Sequence, residues 1–110
     1  MEIQFNSPFA QEEMKAQIAL MQVIDPELHV NIIDLGLVYA VDFSEADVAT
    51  VKMTLSTPHC PMGDAIEQGV RNVMEIAFPD RECKIELVWE PEWNFHMISE
   101  AGRAELGLDD

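Results

Sequence analysis

Cys60 is the residue of this sequence whose type and position are best suited to chemistry, since it lies between an apolar strand pattern and an amphipathic helical pattern. Pro61 follows it, and proline is typical of the first helical position, where its missing N–H would have had no intrahelical partner. Cys60 is therefore predicted to lie at or beside a helix N-cap. Free N–H groups and the positive end of the helix dipole favour a thiolate there, and they are expected to lower the pKa of Cys60 from an ordinary value of about 8.5. Such a thiolate is a nucleophile or a metal ligand at neutral pH.

Four further residues are candidates for the neighbourhood of this thiol. Asp25 and Glu27 flank a proline. This segment either only ends a helix or brings a carboxylate to Cys60 as a ligand, a proton acceptor or a hydrogen-bond partner. His59 directly precedes the thiol and could shift its pKa, and Thr57 lies in the same stretch. The sequence leaves both interpretations of the carboxylates open.

Residue spacing argues against a metal or phosphate site that this chain completes alone. Cys60 and Cys83 form neither a C-x-x-C pair nor a zinc-finger pattern, and the histidines lack the i, i+4 spacing of a helical metal pair. The glycines match no phosphate-binding loop, and the nucleophile elbow of a serine hydrolase is absent from the sequence. Cys83 alternates with charged residues in a strand pattern, so it is predicted to be a core residue without chemistry.

Length and charge bound the function classes. A chain of 110 residues is typical of one domain, and we expect residues 1–110 to form one. The sequence shows no signal peptide and no apolar run of about 20 residues, which indicates a soluble, cytoplasmic protein. With 21 Asp and Glu against 6 Lys and Arg, the net charge is -15, so neither nucleic acid nor a membrane is expected as a partner. The acidity either only keeps the protein soluble or forms a docking surface for a basic partner.

Hydrophobic periodicity predicts the elements that must position these residues, in the order helix, strand, strand, helix, strand and short C-terminal helix. The first helix carries Met14, Ile18 and Met21 at helical spacing and ends near Asp25. Two alternating segments then predict an antiparallel hairpin, and the next helix and strand imply that strands two and three run parallel. The result is an α+β two-layer sandwich with a small mixed three-stranded sheet, in which the neighbour of the third strand is left open. The predicted strands cover 33–43, 50–55 and 83–87, and the second and third predicted helices cover 62–78 and 99–107.

Two features outside the periodic pattern also carry predictions. Gly36 interrupts the first strand and marks either a bulge or a close backbone approach. Trp89 and Trp93 lie in an aromatic, proline-marked tail. They are predicted to cover the core rather than to stack on a ligand.

The sequence contains, in this order, the segments Asp25-Pro26-Glu27, 34–39, 53–57 with Cys60-Pro61, 88–93 and 97–107. Together these five segments resemble the SufT/PaaD-like iron–sulfur cluster assembly family over about residues 12–107. Each segment is short, and it is their order along the chain that makes the resemblance specific. The tail is more similar to SufT-like maturation factors, because the cysteine-rich extension usual in PaaD proteins is absent from this sequence.

The resemblance implies an α+β factor, not an enzyme, that assists the delivery of iron–sulfur clusters to recipient proteins. Cys60 matches the family's single cysteine before proline, Asp25 and Glu27 carry over as candidate site residues, and His59 stands where a small residue is expected. A cluster usually needs four protein ligands, so any cluster here is expected to be transient and shared with a second subunit, a partner protein or a small thiol. The implied partners are iron–sulfur scaffold and recipient proteins and, through a symmetric interface, a second copy of the chain.

Alternatives use the same residues differently. An interaction adaptor would dock a scaffold or a recipient through its acidic surface and would hold no cluster. A thiol-dependent enzyme would use Cys60 as its nucleophile and would need a thiol pKa well below about 8.5. A PaaD-like subunit is a further alternative within the family.

Overall fold

In residues 3, 6–55 and 63–107, which the computed structural model describes, the chain forms three α-helices and a three-stranded sheet. The predicted α+β class and element order are confirmed. No helix in these ranges is long and apolar enough to span a bilayer. The elements are α1 (Ala10–Leu20), β1 (Val38–Asp42), β2 (Val48–Met53), α2 (Gly63–Ala77), β3 (Glu82–Leu87) and α3 (Glu100–Leu106), with a 3-10 turn at Phe95–Met97.

The sheet is mixed, with β2 at its centre. As predicted, β1 and β2 pair antiparallel as a hairpin, and β3 runs parallel to β2. The order β1-β2-β3 places β3 beside β2, on the side away from β1. The parallel register pairs Met53 with Leu87. The carboxyl ends of β2 and β3 therefore meet at one edge of the sheet. The neighbour of the third strand, which the sequence pattern left open, is β2.

The core lies between the sheet and the helices. α2 buries Ile66, Val70 and Met74. Its periodicity of 3.6 residues per turn places these side chains on one side of the helix. Every second residue of β2 enters the same core, as the two-residue period of a half-buried strand requires. These β2 residues are Ala49, Val51 and Met53.

The first helix differs from the sequence prediction in the side that it buries. Periodicity identified the side with Met14, Ile18 and Met21, but α1, which packs against α2, buries two alanines and a leucine on its other side. Val23, just after α1, lies so near α2 that a Cβ added at Gly69 would be 3.1 Å from its Cγ1. The buried residues of α1 are Ala16, Ala19 and Leu20, whereas Met14, Ile18 and Met21 are exposed.

β1 begins later than predicted, because a turn replaces its first residues. The side-chain oxygen of Asn31 accepts from Asp34 N at 2.9 Å, and the Asn31 amide donates to Asp34 Oδ2 at 2.7 Å. Gly36 has a φ of 75°, in the left-handed region that favours glycine. These local hydrogen bonds override the apolar alternation that runs through the turn.

The tail after β3 packs on this turn. Trp93 Nε1 donates to Leu35 O at 2.7 Å, and a Cβ at Gly36 would collide with the carbonyl of Met97. Of the two alternatives left open for Gly36, a bulge and a close backbone approach, the structure shows the close approach. Trp93 covers the core as predicted, whereas Trp89 is exposed.

Ser99 joins the same turn to the last helix. Its N–H donates to Asp34 O at 2.7 Å, and its hydroxyl donates to Asp34 Oδ1 at 2.8 Å. The same hydroxyl caps α3 by accepting from Gly102 N at 3.1 Å. Gly107 ends the helix in a left-handed conformation, so the predicted cap and stop of this helix are both correct.

Arg81, immediately before β3, fastens the β1–β2 hairpin. Its Nη1 donates to the backbone oxygens of Val48 at 2.7 Å and Glu45 at 3.1 Å. Its guanidinium lies 5.0 Å from the centre of the buried Phe43 ring. One cation thereby holds the hairpin turn and covers an aromatic core residue.

Candidate functional site

The central residues of the predicted site, Thr57, His59 and Cys60, lie outside the described residues, and the structure describes what flanks them. On one side β2 leads to the buried Leu55, and on the other α2 begins at Gly63. A Cβ added at Gly63 would lie 3.0 Å from Leu55 Cδ1. The strand end and the helix start are therefore packed against each other, and they form the frame of the candidate site.

This frame lies at the edge of the sheet where the parallel strands end. Val88 N donates to Met53 O at 2.9 Å, directly after the paired residues Met53 and Leu87. In sheets with parallel strands, ligand sites commonly lie beyond the carboxyl ends of the strands. Leu87 and Trp89 are exposed beside this edge.

Asp25 is held by the turn that it forms. Its side chain is 2% exposed, and Oδ1 accepts from Glu27 N at 2.8 Å and from Leu28 N at 3.0 Å. The carbonyl oxygen of Asp25 also accepts from His29 N at 2.8 Å. A carboxylate bonded in this way shapes the backbone, as short polar side chains do in turns.

Glu27 lies on the exposed side of the same turn. A backbone ladder connects this part of the chain to the site frame, since Ile32 N donates to Val23 O, Leu37 N to Ile32 O and Thr54 N to Leu37 O. The structure therefore joins the turn to the frame indirectly, through backbone hydrogen bonds.

Cys83 is half-buried on β3 and packs partly against the core, in keeping with its prediction. Burial raises the pKa of the Cys83 thiol; the Arg71 guanidinium opposes this shift and the Glu75 carboxylate reinforces it. The thiol is therefore protonated at neutral pH and is a poor nucleophile or ligand. It lines a cleft of about 310 Å³ with Gln68, Arg71, Glu75, Arg81 and Glu82.

Metal-ligating side chains are dispersed over the part of the chain that the structure describes. Within residues 3, 6–55 and 63–107, no three side chains of His, Cys, Asp or Glu converge on a point that would hold a metal ion. Because burial keeps Cys83 protonated, Cys60 is the candidate thiolate of this chain.

Tyr39 is a polar residue that sequence reasoning placed only in a strand. Its hydroxyl donates to Pro91 O at 2.7 Å and lies 3.8 Å from Met97 Sδ. Burial raises the pKa of Tyr39, against a hydrogen bond with Thr54 that lowers it. Tyr39 therefore ties β1 to the tail, and its signal in the sequence is that it is the single tyrosine of the chain.

Comparison with known proteins gives a family. The chain matches the model of a family described as "Iron-sulfur cluster assembly protein" over residues 14–87. It is 44% identical over 103 residues to the "Fe-S protein maturation auxiliary factor" of Porphyromonas gingivalis. The matched residues cover 94% of this chain and 98% of that relative. It is 40% identical over 86 residues to the "Fe-S protein maturation auxiliary factor SufT" of Staphylococcus aureus, which covers 78% and 98% of the two chains.

A solved structure supports the same relationship. The crystal structure of a domain of unknown function, DUF59, from Bacillus anthracis is similar to this fold with a TM-score of 0.81 and 37% identity. The similarity covers 88% of this chain and 92% of that one. The family match begins within α1 and ends with β3, so it includes both sides of the frame, Leu55 and Gly63. This chain belongs to the iron–sulfur cluster assembly protein family.

Proposed function

We propose that this chain is an iron–sulfur protein maturation factor that assists the transfer of clusters to recipient proteins, with Cys60 as a transient cluster ligand. The observation that carries the proposal is the family match over residues 14–87, a range that includes Cys60. The second thiol, Cys83, is unsuited to the role because burial raises its pKa. The factor holds and passes on its cargo and is not itself an enzyme.

The cluster is cargo, and its ligands are shared. Iron–sulfur clusters are usually held by four protein ligands, mostly thiolates, and one chain supplies one suitable thiolate. The remaining ligands come from a second copy of the chain, from a partner protein or from a small thiol. Incomplete ligation by each protein suits transfer, because the cargo leaves when a better ligand set is offered.

Four further residues are proposed as members of the site. Thr57 and His59 are proposed on their closeness to Cys60 in the sequence. Glu27 is proposed as a site residue because its carboxylate is exposed. Asp25 is proposed because it holds the turn on which Glu27 lies.

Scaffold and recipient proteins are the proposed partners. The net charge of -15 favours partners with basic surfaces and speeds their encounter with this chain. We further propose that residues 1–110 act as one domain in the cytoplasm. The free thiol of Cys83 is in keeping with a reducing compartment.

Anaerobic reconstitution tests the role of Cys60. Wild type, Cys60→Ser and the matched variant Cys83→Ser are incubated with iron, sulfide and a scaffold or recipient protein, and visible absorption and recipient activity are followed. We expect both signals to be lost in Cys60→Ser and retained in Cys83→Ser. Cluster absorption that does not depend on Cys60, or that never forms even with a scaffold present, would contradict the proposal.

An adaptor that holds no cluster is the second candidate. The dispersed metal donors of the described residues favour it, as does the strongly acidic charge. An adaptor needs its surface and not its thiol. It therefore predicts that Cys60→Ser retains both partner binding and recipient maturation, whereas the ligand proposal predicts that maturation fails.

A further inference from the structure

The helix α1 is apolar on two sides, and only one of them is buried. It buries Ala16, Ala19 and Leu20, while Met14 is 43%, Ile18 64% and Met21 42% exposed. Ile24, just after the helix, is 49% exposed. A helix with apolar residues on both sides is usually covered on both sides, and a contiguous exposed apolar patch marks a contact surface. We call these four residues the α1 face.

The α1 face is a continuous stripe along the helix. At 3.6 residues per turn, Met14, Ile18 and Met21 fall within about 60° of one another. The stripe is also nearly symmetric along the chain, because Met14 and Met21 lie four and three residues from Ile18. A second copy running antiparallel would therefore place Ile18 against Ile18, and Met14 against Met21. A surface that matches itself in this way suits a twofold interface.

The strong negative charge of the chain limits which of its surfaces can form a contact between two copies. Each copy carries a net charge of -15, so most contacts would oppose carboxylates. Three glutamines border the α1 face on the helix surface, together with Lys15, whose amine lies 5.0 Å from the centre of the Phe78 ring. Glu13 lies beyond Gln17, and its Oε1 is buried. In contrast, the exposed Trp89 is followed by the exposed Glu90. The bordering glutamines are Gln11, Gln17 and Gln22.

We propose that the α1 face is covered by a second copy of this chain, in an antiparallel α1–α1 contact about a twofold axis near Ile18. The pairing brings in a second copy of the chain, one of the three proposed sources of further cluster ligands, and in that respect it rests on the proposed function. One helix face is smaller than the roughly 800 Å² per partner of a standard interface, so the dimer is weak and reversible. Flexible methionines suit such a contact, because they adapt to irregular apolar surfaces.

Sedimentation equilibrium of the full chain, without iron and with reductant, tests the pairing. Wild type should shift from monomer to dimer as concentration rises, and added salt should strengthen the dimer by screening repulsion between the acidic copies. Ile18→Glu opposes two carboxylates at the axis and should raise the dimer Kd at least about a hundredfold. Ile76→Glu on α2 makes the same change of charge at an isolated residue that is 83% exposed, and it should leave the Kd within about twofold.

Two outcomes of this experiment would overturn the pairing. A wild type that stays monomeric at all concentrations would assign the α1 face to a different protein, and equal weakening by both variants would assign the effect to charge alone. Both variants must show the wild-type circular dichroism spectrum. Cys60→Ser should dimerise as wild type does. Maturation that Cys60→Ser retains with an intact dimer would refute only the ligand role, whereas a monomeric wild type whose maturation activity depends on Cys60 would refute only the pairing.

Discussion

Replacing Gly36 by alanine should destabilise the fold much more than the same change at Gly107. Both glycines have a positive φ, 75° and 72° respectively, where a side chain costs about 1 kcal/mol. At Gly107 an added Cβ meets no atom within 4 Å, so this backbone cost stands alone. At Gly36 the added Cβ would also collide with the carbonyl of Met97.

The free-energy cost of relieving this collision follows from the hydrogen bonds that would break. To relieve it, the tail must move off the turn, which breaks the bonds from Trp93 Nε1 to Leu35 O and from Ser99 N to Asp34 O, each 2.7 Å long. A hydrogen bond of this kind contributes about 1 kcal/mol. The expected loss in the free energy of unfolding is therefore about 3 kcal/mol for the turn glycine, against about 1 kcal/mol for the glycine at the end of α3.

Urea unfolding measures both losses. With a slope of about 1.5 kcal/mol per molar urea for a chain of this size, the midpoint should fall by about 2 M for Gly36→Ala and by less than about 1 M for Gly107→Ala. Tryptophan fluorescence before unfolding gives a local check. Trp93 should become more exposed in the first variant only. Equal midpoint shifts in the two variants would refute the contact between the tail and the turn.

Two further predictions concern Arg81 and Cys83. Arg81→Ala should lower the free energy of unfolding by about 2 kcal/mol, because the hairpin loses charged hydrogen bonds to Glu45 and Val48 and the cation over Phe43, and partial exposure moderates each loss. Arg81→Lys should recover only part of it in urea unfolding, since an ammonium lacks the planar fork. For Cys83, whose pKa is raised by burial, alkylation in the folded protein should stay slow through the ordinary range of thiol titration and rise only at higher pH. The raised pKa also contributes stability that is present below the unfolded thiol pKa and is lost as pH rises through the folded one, so Cys83→Ala should flatten the alkaline fall in urea stability.

A full return of stability in Arg81→Lys would show that the charge alone holds the hairpin. Fast alkylation of Cys83 near neutral pH would contradict its burial, and Cys60→Ala removes the other thiol from that measurement. Arg103→Ala is a suitable control for Arg81→Ala, because Arg103 makes a bond of 3.3 Å to His96 O at the protein surface.

The elements that the sequence predicted best are those set by local signals. α2 follows a regular apolar stripe, and α3 lies between a serine cap at Ser99 and a left-handed Gly107. The antiparallel hairpin and the parallel third strand follow from alternation and connection length. Each of these depends on residues that are close along the chain or on a general rule of connection.

The features that the sequence did not predict depend on contacts between distant residues. The turn before β1 is fixed partly by Ser99, which is 65 residues from Asp34. The nearby Asn31 and Asp34 carry a recognisable turn signal, but the apolar alternation through Gly36 competes with it. The buried side of α1 depends on what α2 offers as a partner, which periodicity of α1 alone does not contain.

The candidate site divides in the same way between local and distant causes. The succession of β2 and α2 around the site and the packing of Cys83 against the core follow from local patterns, whereas the roles of the carboxylates do not. The predicted helix cap at Cys60 lies outside the described residues. Asp25 is explained by the turn that it caps. Nothing in its spacing from Cys60 distinguishes that role from a ligand.

The residues of the five family-like segments therefore have different roles: some stabilise the fold, and Cys60 is proposed to bind the cluster. Asp34 and Gly36 hold the tail, and Asp25 holds a turn, so their side chains are accounted for by the stability of the fold. Cys60 is proposed to act on the cargo itself. If this division is correct, stability and cluster binding are separable: Gly36→Ala should lower the unfolding midpoint while the protein that remains folded keeps cluster absorption that depends on Cys60, and Cys60→Ser should lose that absorption with an unchanged midpoint. A loss of both properties in both variants would mean that the thiol is part of the frame and not of the chemistry.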